Sequence, residues 1–260
     1  MGSAAVQGSL WNKGAREWAQ RQERTALPMF QGALSALGSV SGKKVLDAGC
    51  GSGMFAELAA KAGAQVAGLD AAARLLEVAR ERTPSGDFRE GDLEELPWAA
   101  QTFDVVTAFN AVQYAADPRR AMAALAKACD REGRVVIGQW ADAARCQTDG
   151  LFVALRRLAP PPPGAPAPLA LAGAGQLESR MVESGLTPIA WGEVPAPFEY
   201  PSLEDAWLAQ ASAGPIARVV EAAGLEQTRL TVIEAFRSGL KPDGSVRHEN
   251  VFRWVVARPS

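Results

Sequence analysis

The run Val45-Leu46-Asp47-Ala48-Gly49-Cys50-Gly51-Ser52-Gly53 holds the residues whose types and spacing best suit chemistry. Two apolar residues lead into an acid, three glycines follow at alternate positions, and a helical pattern starts at Met54. That order reads as a strand turning sharply into a helix, with glycine wherever a side chain would keep a ligand off the backbone. A dinucleotide fingerprint is spaced G-x-G-x-x-G. Here the third glycine comes one residue early, and Met54 stands in its place. A pyrophosphate seeks a bare helix N-terminus, and the carboxylate of Asp47 would repel it, whereas a cation tolerates that acid. The loop therefore suits a nucleoside with an ammonium group and no phosphate.

Further acids recur at the ends of predicted strands. Gln65–Asp70 reads as a second strand, after a helix from Met54 to Ala62 closed by Gly63. A third strand, Asp87–Gly91, delivers Asp92, and a fourth spans Thr102–Asn110. Spacings of about twenty residues make this a βαβ series with ligand groups at successive carboxyl ends.

With these residues the chain resembles class I S-adenosylmethionine-dependent methyltransferases from about residue 43 to residue 140. The resemblance implies that Asp47, Gly49, Cys50 and Gly51 surround the methionine part of S-adenosylmethionine. It implies that Asp70, followed by Ala71, accepts the ribose hydroxyls, that Asp92 meets the adenine amino group, and that the Leu93 amide lies against the ring. Asn110 then ends the fourth strand beside the methyl group. The fold implied is α/β, a Rossmann-like seven-stranded, mostly parallel sheet with an antiparallel last strand. An N-terminal helical cap and a helical insertion would cover the acceptor pocket.

A sulfonium is already an activated electrophile, so the protein must chiefly hold the acceptor in line with methyl carbon and sulfur. A base matters for an alcohol and little for an amine, thiolate or acidic phenol. After the fourth strand, Gln113 and Tyr114 are the candidate positioning groups. Gln113 stands where relatives often carry histidine, and an amide takes no proton at neutral pH. The one histidine, His248, reads as a strand-lining residue beside the Pro242-Asp243-Gly244 turn. The expected reaction is methyl transfer to O or N of a small organic molecule, an intermediate of specialised metabolism, by proximity and orientation. Alternative readings are the same cofactor fold redirected to cyclisation or rearrangement, and a non-catalytic partner, whose mark would be a degenerate loop.

A chain of 260 residues, 48% of them hydrophobic, can bury one substantial core. We expect a single domain over 1–260: a cap at 11–39, the cofactor core at 43–140, a substrate-side insertion at 141–245 and the last strand at 246–258. The cap would be two helices split by Pro28, with Trp11 and Trp18 on one face, packed on the core or closing over the cofactor. Pro160–Pro168 reads as a stiff polyproline-like loop, Thr187–Tyr200 as a sixth strand near an edge, and Val246–Ala257 as a seventh. A net charge of −2 with scattered arginines argues against nucleic acid. No apolar run approaches the ~20 residues of a membrane span, and no secretory leader is recognisable. Three unpaired-looking cysteines, Cys50, Cys129 and Cys146, fit a reducing cytoplasm and no metal site. A small-molecule acceptor and a monomer or homodimer complete the expectation.

Overall fold

The computed structural model describes residues 3–162, 165 and 167–260. Pro163, Gly164 and Pro166 of the polyproline-like run lie outside the described residues. The chain opens with α1 (Ala4–Asn12) and a short α2 (Ala15–Glu17), then a π turn (Trp18–Gln22), a 3-10 turn (Glu23–Ala26) and α3 (Leu27–Leu37). The core follows as β1 (Lys44–Ala48), α4 (Met54–Lys61), β2 (Gln65–Asp70), α5 (Ala73–Arg82), β3 (Asp87–Glu90), β4 (Phe103–Phe109), α6 (Pro118–Ala128) and β5 (Cys129–Trp140). Beyond it come α7 (Asp149–Leu158), α8 (Gln176–Glu183), β6 (Leu186–Pro195), β7 (Phe198–Tyr200), α9 (Leu203–Ala211), α10 (Gly214–Ala223), α11 (Leu225–Phe236), β8 (Val246–His248) and β9 (Val251–Pro259).

Seven strands form one sheet in the order β3-β2-β1-β4-β5-β9-β6. The first five pair in parallel, and β9 runs antiparallel between β5 and β6. Both faces are covered, which is why the strands read as near-continuous apolar runs. Val45, Val105, Val136 and Val256 belong to the core under α3 and α4. Their neighbours Leu46, Val106, Ile137 and Val255 belong to the core under α6 and α8. The order reverses between β1 and β4, and at such a switch point the carboxyl ends leave a crevice for a ligand. Asp117 caps α6 there, its Oδ1 accepting from the amides of Arg119 (2.9 Å) and Arg120 (3.3 Å), with Pro118 in the first turn.

The sheet and its antiparallel last strand are as expected, and the flanking segments differ in four respects. The cap begins at Ala4, and Pro28 opens α3 instead of dividing a helix. Trp11 and Trp18 lie on separate elements, yet their rings meet edge to face at 4.8 Å across the break at Gly14. Thr187–Tyr200 is two strands: β6 leaves the sheet at Pro195, and β7 pairs with β8 in a separate ribbon. Val246–Ala257 is likewise divided, because Asn250 turns the corner between β8 and β9. Its Oδ1 accepts from the Thr148 amide at 3.1 Å, and its Nδ2 donates to Thr148 Oγ1 at 3.0 Å. The segment 141–245 is also not all insertion, since α8 and β6 complete the core; α7 and α9–α11 make the roof.

Candidate functional site

The turn after β1 is built on left-handed backbone at Gly49 (φ 78°) and Gly51 (φ 53°). The amides of Gly49 and Cys50 both donate to the Leu69 carbonyl, at 2.7 and 2.9 Å, which ties the turn to the end of β2. Asp70 completes the tie: its Oδ2 accepts from the Gly51 amide and its Oδ1 from the Ala72 amide, each at 2.9 Å. The two glycines serve different ends. A Cβ at Gly49 would sit 2.4 Å from Ala111 Cβ, so packing forbids one. A Cβ at Gly51 would meet nothing closer than Glu23 Oε1 and Trp18 Nε1, both at 3.9 Å, and would enter open space.

That space is a cavity of about 1180 Å³, open mouth included, on the scale of small-molecule and cofactor sites. It runs from the turn, Asp70 and Asp92 to a chamber walled by Phe109, Trp140, Phe152, Phe198 and Phe252 under Ile216 of α10. Asp70 and Asp92 are the only charged side chains among its described lining residues. The π turn of the cap presents Trp18 and Gln22 to it, and such turns recur at functional sites.

Of the residues singled out in the sequence, Gly49, Gly51, Asp70, Ala71, Asp92, Leu93, Asn110, Tyr114 and Trp11 line this cavity together. Asn110 has left-handed backbone (φ 49°), uncommon for a residue other than glycine, and its buried Oδ1 has no partner among the described residues. Asp92 binds the Glu94 amide through Oδ1 at 2.9 Å and the Ala4 amide of the cap through Oδ2 at 3.2 Å. Tyr114 packs 6.1 Å from Trp11.

Asp47, Cys50 and Gln113 are not part of the lining. Asp47 is buried, its Oδ1 accepting from Thr107 Oγ1 at 2.7 Å. Burial pushes its pKa up to about 7, against the Thr107 bond and helped by the nearby Asp70 and Glu23. The Cys50 thiol is buried and its pKa is pushed well up for the same reason. Gln113 corrects the expectation most plainly: it is 1% exposed, and neither amide atom finds a hydrogen-bond partner among the described residues. The sharp turn after β4 puts Asn110 and Tyr114, and not Gln113, on the cavity wall. His248 is not part of the lining either, although it pairs across the β7–β8 ribbon with the lining residue Phe198. It stacks on Phe236 at 4.3 Å, its ring nitrogens lie 3.4 Å from Thr148 Oγ1 and 3.2 Å from Ser238 Oγ, and burial lowers its pKa to about 4.

Several groups escaped sequence reasoning. Glu23, buried, pairs with Arg82, whose guanidinium also donates to the carbonyls of Ser52 (2.9 Å) and Ala19 (3.2 Å). This pair fastens the cap to the glycine turn. Gln22, Tyr200 and Gln210 form a buried hydrogen-bonded chain beside the aromatic chamber. Only the π turn could have drawn notice to Gln22, and no spacing rule reveals a π turn.

Residues 46–137 match the family model described as methyltransferase domain. Demethylmenaquinone methyltransferase of Renibacterium salmoninarum is 34% identical over 107 residues, covering 41% of this chain and 45% of its own. Ubiquinone biosynthesis O-methyltransferase of Bordetella parapertussis is 46% identical over 100 residues, covering 35% and 41%. The chain thus spans under half the length of these curated relatives. A solved structure from Bacillus halodurans superposes with a TM-score of 0.64 at 13% identity, covering 89% of this chain and 99% of that one, and so shares the fold. Residues 46–137 thus match a methyltransferase domain, and the solved structure shows that the chain around them shares a fold with it. Among the described residues no helix is long and apolar enough to cross a membrane.

The raised Asp47 pKa makes a testable statement about stability. The native state holds this proton to about pH 7, against an ordinary value of 3.8. Its contribution is therefore full below about pH 4 and is lost as pH rises through about 7. Asp47→Asn keeps the Thr107 partner and carries no charge. Between about pH 5 and 8, its melting temperature should fall less than that of the unsubstituted protein; equal falls would show that Asp47 ionises as in water.

Proposed function

We propose that this protein transfers a methyl group from S-adenosylmethionine to an oxygen or nitrogen atom of a small, neutral, largely apolar organic molecule. The observation that carries this reading is one continuous cavity joining the glycine turn and two carboxylates to an uncharged aromatic chamber.

The residues present fit the cofactor. Gly51 leaves open space where a side chain would stand; among the described residues Asn110 Oδ1 has no partner, and two acids line the cavity with no cation beside them, which favours a cationic ligand. When bound, the cofactor supplies a methyl group already activated on a sulfonium. Asp70, braced by two backbone amides, keeps lone pairs free for two ribose hydroxyls. Asp92 and Leu93 border the same wall as the adenine would. Strained backbone at Asn110 persists because the Asn110 amide is held by the Gly138 carbonyl at 2.8 Å, and such strain clusters at functional sites.

For the acceptor, the chain offers placement and dryness. Trp11, Trp18 and the aromatic wall give the cavity a largely apolar lining, and holding reactants in line can supply several kcal/mol of barrier lowering. Among the described residues no histidine, lysine or carboxylate borders the aromatic chamber, so none there offers a base. That favours an amine or a phenol over an aliphatic alcohol, which depends most on a base. A free carboxylate or phosphate on the acceptor would be buried without a counter-charge, at a cost of several kcal/mol. The quinone-related names of the relatives attach to proteins that match 41% and 35% of this chain. Here Phe152 of α7, Gln210 of α9 and Ile216 of α10 line the chamber, and an intermediate of specialised metabolism suits its size and neutrality.

Two variants test the cofactor half by calorimetry with S-adenosylhomocysteine. Asp70→Ala removes the ribose acceptor, and with charge-assisted hydrogen bonds contributing about 1.5–3 kcal/mol each, affinity should fall at least about tenfold. Unchanged affinity would exclude Asp70 from the site. Gly51→Ala should also remove binding while costing only about 1–2 kcal/mol of stability, the strain of a left-handed alanine. Gly49→Ala should cost more, because of its clash with Ala111. Release of S-adenosylhomocysteine on incubation with neutral phenols and amines tests transfer itself; conversion of a compound without that release would support cyclisation or rearrangement instead.

A further inference from the structure

Three buried polar side chains interrupt the apolar surroundings of the acceptor chamber. Tyr200, at the end of β7, donates its hydroxyl proton to Gln22 Oε1 at 2.7 Å and accepts from Gln210 Nε2 at 3.0 Å. The π turn of the cap, the small ribbon and α9 each contribute one of the three, and all are at most 4% exposed. Gln22 and Gln210 line the cavity, whereas Tyr200 stands behind them.

A hydroxyl has one proton, so it cannot donate to both amides. Gln22 spends its carbonyl on Tyr200 and Gln210 spends its amino group. What remains toward the cavity is the amino group of Gln22 and the carbonyl of Gln210, neither with another hydrogen bond among the described residues. Reversing the chain exchanges the two roles and leaves the same pairing, one donor and one acceptor. Burial pushes the Tyr200 pKa well up, so the phenol keeps its proton at neutral pH. Leaving two such groups bare beside Trp140, Phe198 and Phe252 is costly, and a ligand that answers both is favoured over one that answers neither.

We propose that Gln22 and Gln210, set by Tyr200, are a specificity clamp that recognises a neutral acceptor carrying both a hydrogen-bond acceptor and a donor, as an aromatic diol does. The inference rests on the reading of this chamber as the acceptor site, and it names the class of molecule admitted. Tyr200 is a positioning residue: it touches the two amides and not the ligand.

The test uses the full chain saturated with S-adenosylhomocysteine and two probes of similar shape, 2,3-dihydroxynaphthalene and 2,3-dimethoxynaphthalene, titrated by calorimetry. The diol, which alone can donate, should bind at least about tenfold more tightly. Tyr200→Phe frees both amides to turn, and Gln210→Leu removes one; each should reduce that preference to about threefold or less. Affinity for S-adenosylhomocysteine should stay unchanged in both variants, which separates loss of the clamp from loss of the fold. Equal binding of the two probes, binding of neither, or a preference that survives Tyr200→Phe would overturn the proposal. Should the unsubstituted chain fail to bind S-adenosylhomocysteine, the cofactor reading falls on its own, and the same probe comparison without it still decides the clamp.

Discussion

The site depends on a backbone constraint: residues 49–51 must turn back on the end of β2 with their amides spent on one carbonyl and one carboxylate. Leu69 takes the amides of Gly49 and Cys50, and Asp70 takes that of Gly51. The left-handed conformations this needs cost little at glycine and about 1–2 kcal/mol elsewhere. Because β1 and β2 are neighbours paired from Lys44–Gln65 to Ala48–Leu69, register alone delivers Asp70 to the turn. The parallel sheet thus converts strand pairing into the position of a carboxylate. Only Gly51 then faces open space, which is the reason a ligand can lie against the backbone there.

The cap is fastened to that same turn by charge. Arg82 of α5 binds Glu23, the Ser52 carbonyl and the Ala19 carbonyl together, with Glu23 buried and the guanidinium largely so. Removing one partner of such a buried pair strands a charge and is strongly destabilising. Lys13 on Glu221 and the Ala4 amide on Asp92 anchor the rest of the cap to the roof and to the core. The exposed Lys13–Glu221 pair contributes less than a buried one. The glycine-turn end of the cavity and its aromatic chamber therefore share one cover, and Trp11, Trp18 and Gln22 reach the cavity from it.

Legibility in the sequence followed the range of the interactions. The glycine turn, Asp70, Asp92 and Asn110 were readable because short-range rules of spacing and strand ends produce them, and each lines the cavity. Gln113 was assigned by its place after β4, yet a one-residue difference within a tight turn decides which side chain meets the cavity. Asp47 was read from its charge, and its burial under Thr107 is a property of strand pairing between β1 and β4. The split of the last strand at Asn250 depends on Thr148, 102 residues earlier. Tyr200 and Gln22 are 178 residues apart. Partnerships at such separation carry no periodicity and no motif.

The account turns on whether the cavity beside the glycine turn receives an adenosyl cofactor with its sulfur directed to the aromatic chamber. A crystal structure of the protein with S-adenosylhomocysteine measures this directly. The account predicts ribose hydroxyls on Asp70, adenine beside Asp92 and Leu93, the amino-acid part along Gly49–Gly51, and sulfur facing the space between Tyr114 and Trp140. A nucleoside bound elsewhere, or one lying in this cavity with its sulfur turned away from the chamber, would contradict it.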